Sequence, residues 1–182
     1  MRLANTHRLT ALLAEYESRD LTYAEVGATR SPALPGGYHH TRLRREVGKG
    51  EQDFRRACEI VLGWDMHRGS GLTVAAGGPA AEGRTAVLAA GGRIGLVIPC
   101  RVVYVVDEPR RRGFGYGTLP DHPESGEEAF LVTLDDDRVW LEVVAFSRPG
   151  SRMVKVVGPV SLLLQQIALR SYFRSVRRQL AQ

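Results

Sequence analysis

The chain has 182 residues, 43% apolar and 25% charged, with a formal net charge of +5; this excludes wholesale disorder and suffices for one domain with a sizeable core. The positive excess is arginine, with Lys49 and Lys155 the lysines, and it permits contact with polyanions without requiring it. Cys58 and Cys100 lie far apart, which argues against a zinc site or a disulfide framework, and the apolar runs are of strand length, too short to span a membrane.

Residues 1–20 are too polar for the apolar core of a signal peptide, so a cytoplasmic protein is expected. Leu9, Leu12, Leu13 and Tyr16 recur at helical spacing, with Thr6 placed to cap a helix over about 7–18. Pro32, Pro35, Gly36 and Gly37 break the following loop. Tyr38 to Val47 alternates as a half-exposed strand near a sheet edge, and Gly48-Lys49-Gly50 ends it. Phe54, Ala57, Cys58, Val61 and Leu62 then predict a helix over Glu51 to Met66.

A short strand is expected over Leu72 to Ala75, followed by strands over about 84–90, 93–98, 101–107, 113–119, 127–134 and 138–147. Asp107 to Gly113 and Asp135-Asp136-Asp137 carry the turn chemistry of antiparallel hairpins. Gly158-Pro159 opens a last helix, with Leu162, Leu169, Phe173, Val176 and Leu180 on one stripe, widened by Leu163 and Ile167. Arg170, Arg174, Arg177 and Arg178 line another side. The expected fold is α+β: a curved antiparallel sheet of about seven strands gripping a long C-terminal helix, the helix-grip arrangement. A short N-terminal helical extension covers 1–20, and 21–182 form the core of a single domain.

Several strings are distinctive together. They are Leu21-Thr22-Tyr23-Ala24-Glu25-Val26-Gly27-Ala28-Thr29-Arg30, Leu34-Pro35-Gly36-Gly37-Tyr38, Trp64-Asp65-Met66-His67-Arg68 and Val97-Ile98-Pro99-Cys100-Arg101-Val102-Val103-Tyr104. The stretch 113–128 is the most specific, with Gly113, Gly115 and Gly117 alternating with Phe114, Tyr116 and Thr118. Their content and order resemble uncharacterised protein family 0548, a family of unknown function from bacteria and plants. Asp121 stands where that resemblance implies glycine, and a turn of positive φ tolerates aspartate better than most residues.

The bare glycine face admits close approach by another element or by a ligand. It is not a dinucleotide loop, because no helix opens on the last glycine. Trp64, Tyr104, Tyr116, Thr118 and His122 are the expected ligand-binding groups of a cavity between sheet and final helix, suited to a small hydrophobic or amphipathic molecule. The rival is an enzyme of cyclase or dehydratase type in the same cavity, with His122 or Glu124 as general acid or base and Tyr116 polarising a carbonyl. No cofactor and no metal is implied: His122 with Glu124 gives two ligands, not a site. Glu127 and Glu128 must point to opposite faces, so one of them faces the cavity.

The third reading is an interaction module using the arginine-rich faces around Arg42, Arg44, Arg45, Arg110, Arg111 and Arg112. Without interleaved aromatics no nucleic acid is expected as partner, and the amphipathic final helix permits weak membrane-surface contact.

Overall fold

The computed structural model describes residues 2–90, 96–150 and 158–182, with side chains from residue 8 onward except at 158–168. Seven antiparallel strands make one sheet in the order β1 (His39–Lys49), β7 (Arg138–Pro149), β6 (Glu124–Asp135), β5 (Arg111–Thr118), β4 (Leu96–Glu108), β3 (Thr85–Ala90), β2 (Thr73–Ala76). From β2 to β7 the chain pairs each strand with the next, a meander. The first strand then closes on the last and sits at the edge, as its half-polar alternation implied. Register shifts between Glu46 and Gly48 and between Val102 and Tyr104 bend the sheet.

The concave face holds the main core. Ala86, Leu88, Cys100, Val102, Phe114, Phe130, Val132, Leu141 and Val143 meet α2 (Gly50–Leu62), α3 (Asp65–Gly69) and α4 (Gly158–Leu180). In α4, Leu169, Phe173 and Val176 are buried as the stripe predicts. The expected roles of Pro159, Leu162, Leu163 and Ile167 fall on side chains outside those described.

The opposite, convex face is covered too. Helix α1 (Arg2–Tyr16) lays Leu9 and Tyr16 against Ala75, Val87 and Leu119. Arg101 of β4 donates to the carbonyls of Tyr16 and Glu17 at 2.9 Å each, placing a cation at the negative end of that helix. Residues 21–38 then cross the outer surface of β4 to β7, including a 3-10 turn at Ala28–Arg30.

Three expectations change. Helix α1 begins at Arg2, so Thr6 lies inside it rather than at its cap. The predicted strands 93–98 and 101–107 are one strand, β4, running through Pro99, which pairs with Val87; residues 93–95 lie outside those described. The predicted helix 51–66 is two, because Trp64 has φ 67° and ends α2 before α3 starts. That left-handed position costs roughly 1–2 kcal/mol for a residue with a Cβ. Complete burial of the indole offsets it: the ring centroid lies 4.8 Å from Phe114 and 6.4 Å from Tyr116.

Candidate functional site

Strands β5 and β6 decide which side chains share a face. Tyr116 is directly opposite Glu128, and Gly117 is opposite Glu127. The period of two sends Tyr116 and Glu128 to the concave face and Glu127 to the convex one.

On the convex face the bare glycines are filled from within the chain. A Cβ at Gly115 would lie 2.5 Å from the Tyr104 ring, and one at Gly117 would meet the Tyr23 hydroxyl. Two tyrosines thus lie where the missing side chains would be. Tyr23 donates to Glu127 at 2.6 Å, the Gly27 N–H donates at 2.6 Å and the Thr29 N–H at 2.9 Å. The Thr29 hydroxyl bonds Glu127 as well and lies 2.8 Å from the Tyr104 hydroxyl. Glu127, 2% exposed, is the anchor of the segment 21–38. Arg30 does not pair with Glu25. Its guanidinium lies 4.4 Å above the Tyr104 ring, and Glu25 accepts from Tyr38 at 2.8 Å.

Tyr104 was expected inside the cavity; the structure places it on the other face. The irregularity between Val102 and Tyr104 changes the alternation, so Val102 packs in the concave core and Tyr104 packs outside with Ala129, Leu131 and Val144. There it borders an open outer recess of about 330 Å³ with Arg30, Asp107 and Arg111. Thr118 is also engaged within the chain: its hydroxyl is 2.5 Å from that of Thr22 and accepts the Gly126 N–H at 3.0 Å.

The concave face gathers the remaining candidates. Tyr116 donates to Glu128 at 2.6 Å. Burial raises the Glu128 carboxyl to about 7, with the nearby Glu124 carboxylate pushing the same way and the Tyr116 bond opposing it. Burial also raises Glu124, against a hydrogen bond with Ser147 and the proximity of His39. Glu124 stands in β6 rather than in a solvated turn, and both carboxyl side chains are half-buried. His122 is half-buried, and burial lowers its imidazole to about 4. Its Nδ1 lies 2.9 Å from both the N–H and the carbonyl oxygen of Glu124, which fixes the ring against the start of β6.

Behind these groups stands an aromatic wall. His67 of α3, fully buried, lies with its ring centroid 6.2 Å from Tyr116, 5.1 Å from Tyr172 and 5.0 Å from Phe130. Burial lowers the imidazole to about 3, so it is neutral. Among the described residues, neither ring nitrogen, nor the Trp64 indole N–H, has a hydrogen-bond partner. Such orphaned buried polar atoms are rare and call for an explanation.

Residues 22–175 match the family described as Domain of unknown function (DUF1990). The chain belongs to this family. A UPF0548 protein of Deinococcus radiodurans is 30% identical over 189 residues, covering 94% of this chain and 93% of its own. A UPF0548 protein of Arabidopsis thaliana is 28% identical over 122 residues, covering 63% of this chain and 60% of its own. Among solved structures, a hypothetical protein of Helicobacter pylori aligns with TM-score 0.55 at 11% identity, covering 87% of this chain and 96% of that one. Ara h 8.0201 aligns with TM-score 0.51 at 9% identity, covering 80% and 99%. These likenesses show the fold of this DUF1990 protein, a helix-grip.

Sequence reasoning named Tyr116, His122, Glu124 and Trp64 as candidates and assigned no role to His67 or Tyr172. The signal for His67 was its place three residues after Trp64. The alternation of 127 and 128 told that one glutamate faced inward, and the period alone did not say which. The arginine-rich faces are engaged within the chain. Arg42 pairs with Glu142 at 3.1 Å and Arg44 with Asp135 at 3.2 Å. Arg112 pairs with Asp107 at 2.9 Å, and Arg177 donates to the Glu46 carbonyl at 3.0 Å. Among the described residues no three histidine, cysteine, aspartate or glutamate side chains converge as metal ligands, and no helix is long and apolar enough to cross a membrane.

Proposed function

We propose that this protein binds a small amphipathic molecule on the concave face of its sheet, at the end bordered by Tyr116, His122, Glu124 and Glu128, with Trp64 and Tyr172 as the apolar wall. The observation that carries the reading is the state of Glu128. Its carboxyl accepts from Tyr116 at 2.6 Å and burial moves it to about 7, yet the residue is half-buried rather than buried. A group within a packed core loses its surface, and a group on the outside keeps its ordinary titration. A group that does neither fits the wall of a hollow. Glu124 and His122 combine the same two properties. A few polar groups converging on an apolar, aromatic lining is the usual make-up of a small-molecule site.

Native mass spectrometry of the purified protein tests this directly. A retained small molecule, lost on denaturation, is the expected result. A protein that is empty and also takes up no neutral apolar fluorophore overturns it.

One observation favours a catalytic use of the same site. A carboxyl that titrates near neutrality and is held at 2.6 Å by a phenol is suited to moving a proton at physiological pH. On this reading Glu128, rather than Glu124 or His122, is the acid or base, and Tyr116 fixes its orientation. Glu128→Gln would then abolish turnover of a bound substrate, and unchanged turnover removes the assignment.

A further inference from the structure

We infer that the molecule held on the concave face carries an organic ammonium group, seated against the Glu128 carboxyl, at the end of β6 that also carries Glu124, and beside the rings of Tyr116 and Tyr172. The inference rests on the proposed binding function and specifies the chemical class of its ligand.

Charge sign is the first argument. The chain as a whole has a net charge of +5, yet the titratable neighbour acting on Glu128 from β6 is a second carboxylate, Glu124. From β1, the group near Glu124 is His39. No arginine or lysine among the described residues pairs with either carboxyl, although arginines elsewhere are matched with carboxylates one by one. The sequence of the first half of α4, residues 158–168, contains no charged residue. A buried carboxyl whose proton is held further by a neighbouring carboxylate is stabilised in its charged form by a cation placed beside it.

The aromatic surroundings make the second argument. Tyr116 donates to Glu128 at 2.6 Å, Tyr116 and Tyr172 both lie against His67, and their rings continue into Trp64 and Phe130. Carboxylates beside aromatic faces form the usual surroundings of an alkylammonium ion, which aromatic faces attract and partly desolvate.

The third argument is independent of the acidic pair. His67 is wholly buried between Tyr116 and Tyr172 with both ring nitrogens unpartnered. A neutral imidazole always presents one acceptor nitrogen, and an ammonium N–H is the complementary donor. The apolar remainder of the ligand would lie along the aromatic wall.

Displacement of a neutral probe, N-phenyl-1-naphthylamine, by three amphiphiles of equal chain length tests the class. Decylamine is expected to displace the probe at about tenfold lower concentration than decanol, with decanoate weakest. The positive net charge opposes cations in general, so such a preference reports the site. Glu128→Gln should erase the preference, read as the ratio of the decylamine to the decanol concentration that displaces half of the probe. Glu124→Gln, a second variant at the same end, should reduce the preference in the same direction. Equal displacement by all three, or a preference for decanoate, overturns the ammonium assignment and leaves the binding function standing. A preference that survives both variants also overturns it. Failure of the probe to bind at all removes the binding function and this inference with it.

Discussion

Glu127 and Glu128 are adjacent, belong to the same strand and face opposite ways. Glu127 accepts from Tyr23, Gly27 and both the amide and the hydroxyl of Thr29. Glu128 accepts from Tyr116 and lies near another carboxylate. One carboxylate is provided with donors on every side, and its task is to hold a segment of the chain. The other is under-provided, and its chemistry is left available. Burial alone does not mark a functional acid; the ratio of charge to donors does.

The comparison breaks most visibly at Glu127. Glu127→Ala leaves several buried donors without an acceptor and should destabilise the protein by about 3–5 kcal/mol, read by chemical denaturation. Residues 21–38 should become protease-sensitive. If stability changes by much less than that, Glu127 is not the anchor described.

Gly115→Ala tests the tyrosine that shares this network. The added methyl meets the Tyr104 ring at 2.5 Å, and Tyr104 is 2% exposed and has nowhere to move. A loss of about 2 kcal/mol is expected. A neutral result would show that Tyr104 shifts freely.

Glu128→Gln acts the other way and depends on pH. The folded pKa of about 7 lies above the ordinary carboxyl value of 4.5, so the folded state holds its proton more tightly. Stability therefore falls as pH rises from about 4.5 through about 7 and is level above that. The glutamine variant should lose this slope and be more stable than the parent at pH 8, by on the order of 2 kcal/mol after allowance for residual solvent contact. Equal stability at pH 8 contradicts the burial described for Glu128.

The smallest change at neutral pH is expected for His67→Phe, which keeps a ring in place and removes two unpartnered nitrogens. A gain of about 1 kcal/mol is expected at pH 7. The parent's folded imidazole titrates at about 3 and the unfolded one near 6.5, so the parent loses stability as pH falls through that window and the variant should lose less. Melting temperatures at pH 7 and pH 5 decide it: a gap between parent and variant that does not widen on acidification counts against a neutral buried His67.

Much of the architecture was legible because it is written in periods. The apolar runs of 127–134 and 138–147 and the stripe of Leu169, Phe173 and Val176 are local patterns, and each became the element it implied. The break at Trp64 was not legible. Nothing in a helical pattern announces that an aromatic residue will adopt a left-handed conformation for the sake of its burial. The glycines of 113–117 were recognised as places of close approach, and what approaches could not be read locally, since Tyr23 and Tyr104 come from a loop and from a bulged strand. Tyr104 went to the wrong face for the same reason: one extra residue in a strand inverts every assignment beyond it. The proposed site residues Tyr116, His122 and Glu124 stood out by type and position. The role of Glu128 depends on what surrounds it in space, which sequence spacing does not contain.

Helix α1 ends just before the portion of the chain that defines the family. Its Leu9 and Tyr16 shield Ala75, Val87 and Leu119, and the Tyr16 hydroxyl reaches Asp121 at 2.9 Å, in the turn whose backbone has φ 69°. Trimming the protein to its family boundary would therefore bare an oily strip on the outside of the sheet and free the turn that carries His122. Such a shortened chain should self-associate, and the first twenty residues are as much a part of the working molecule as the strands they protect.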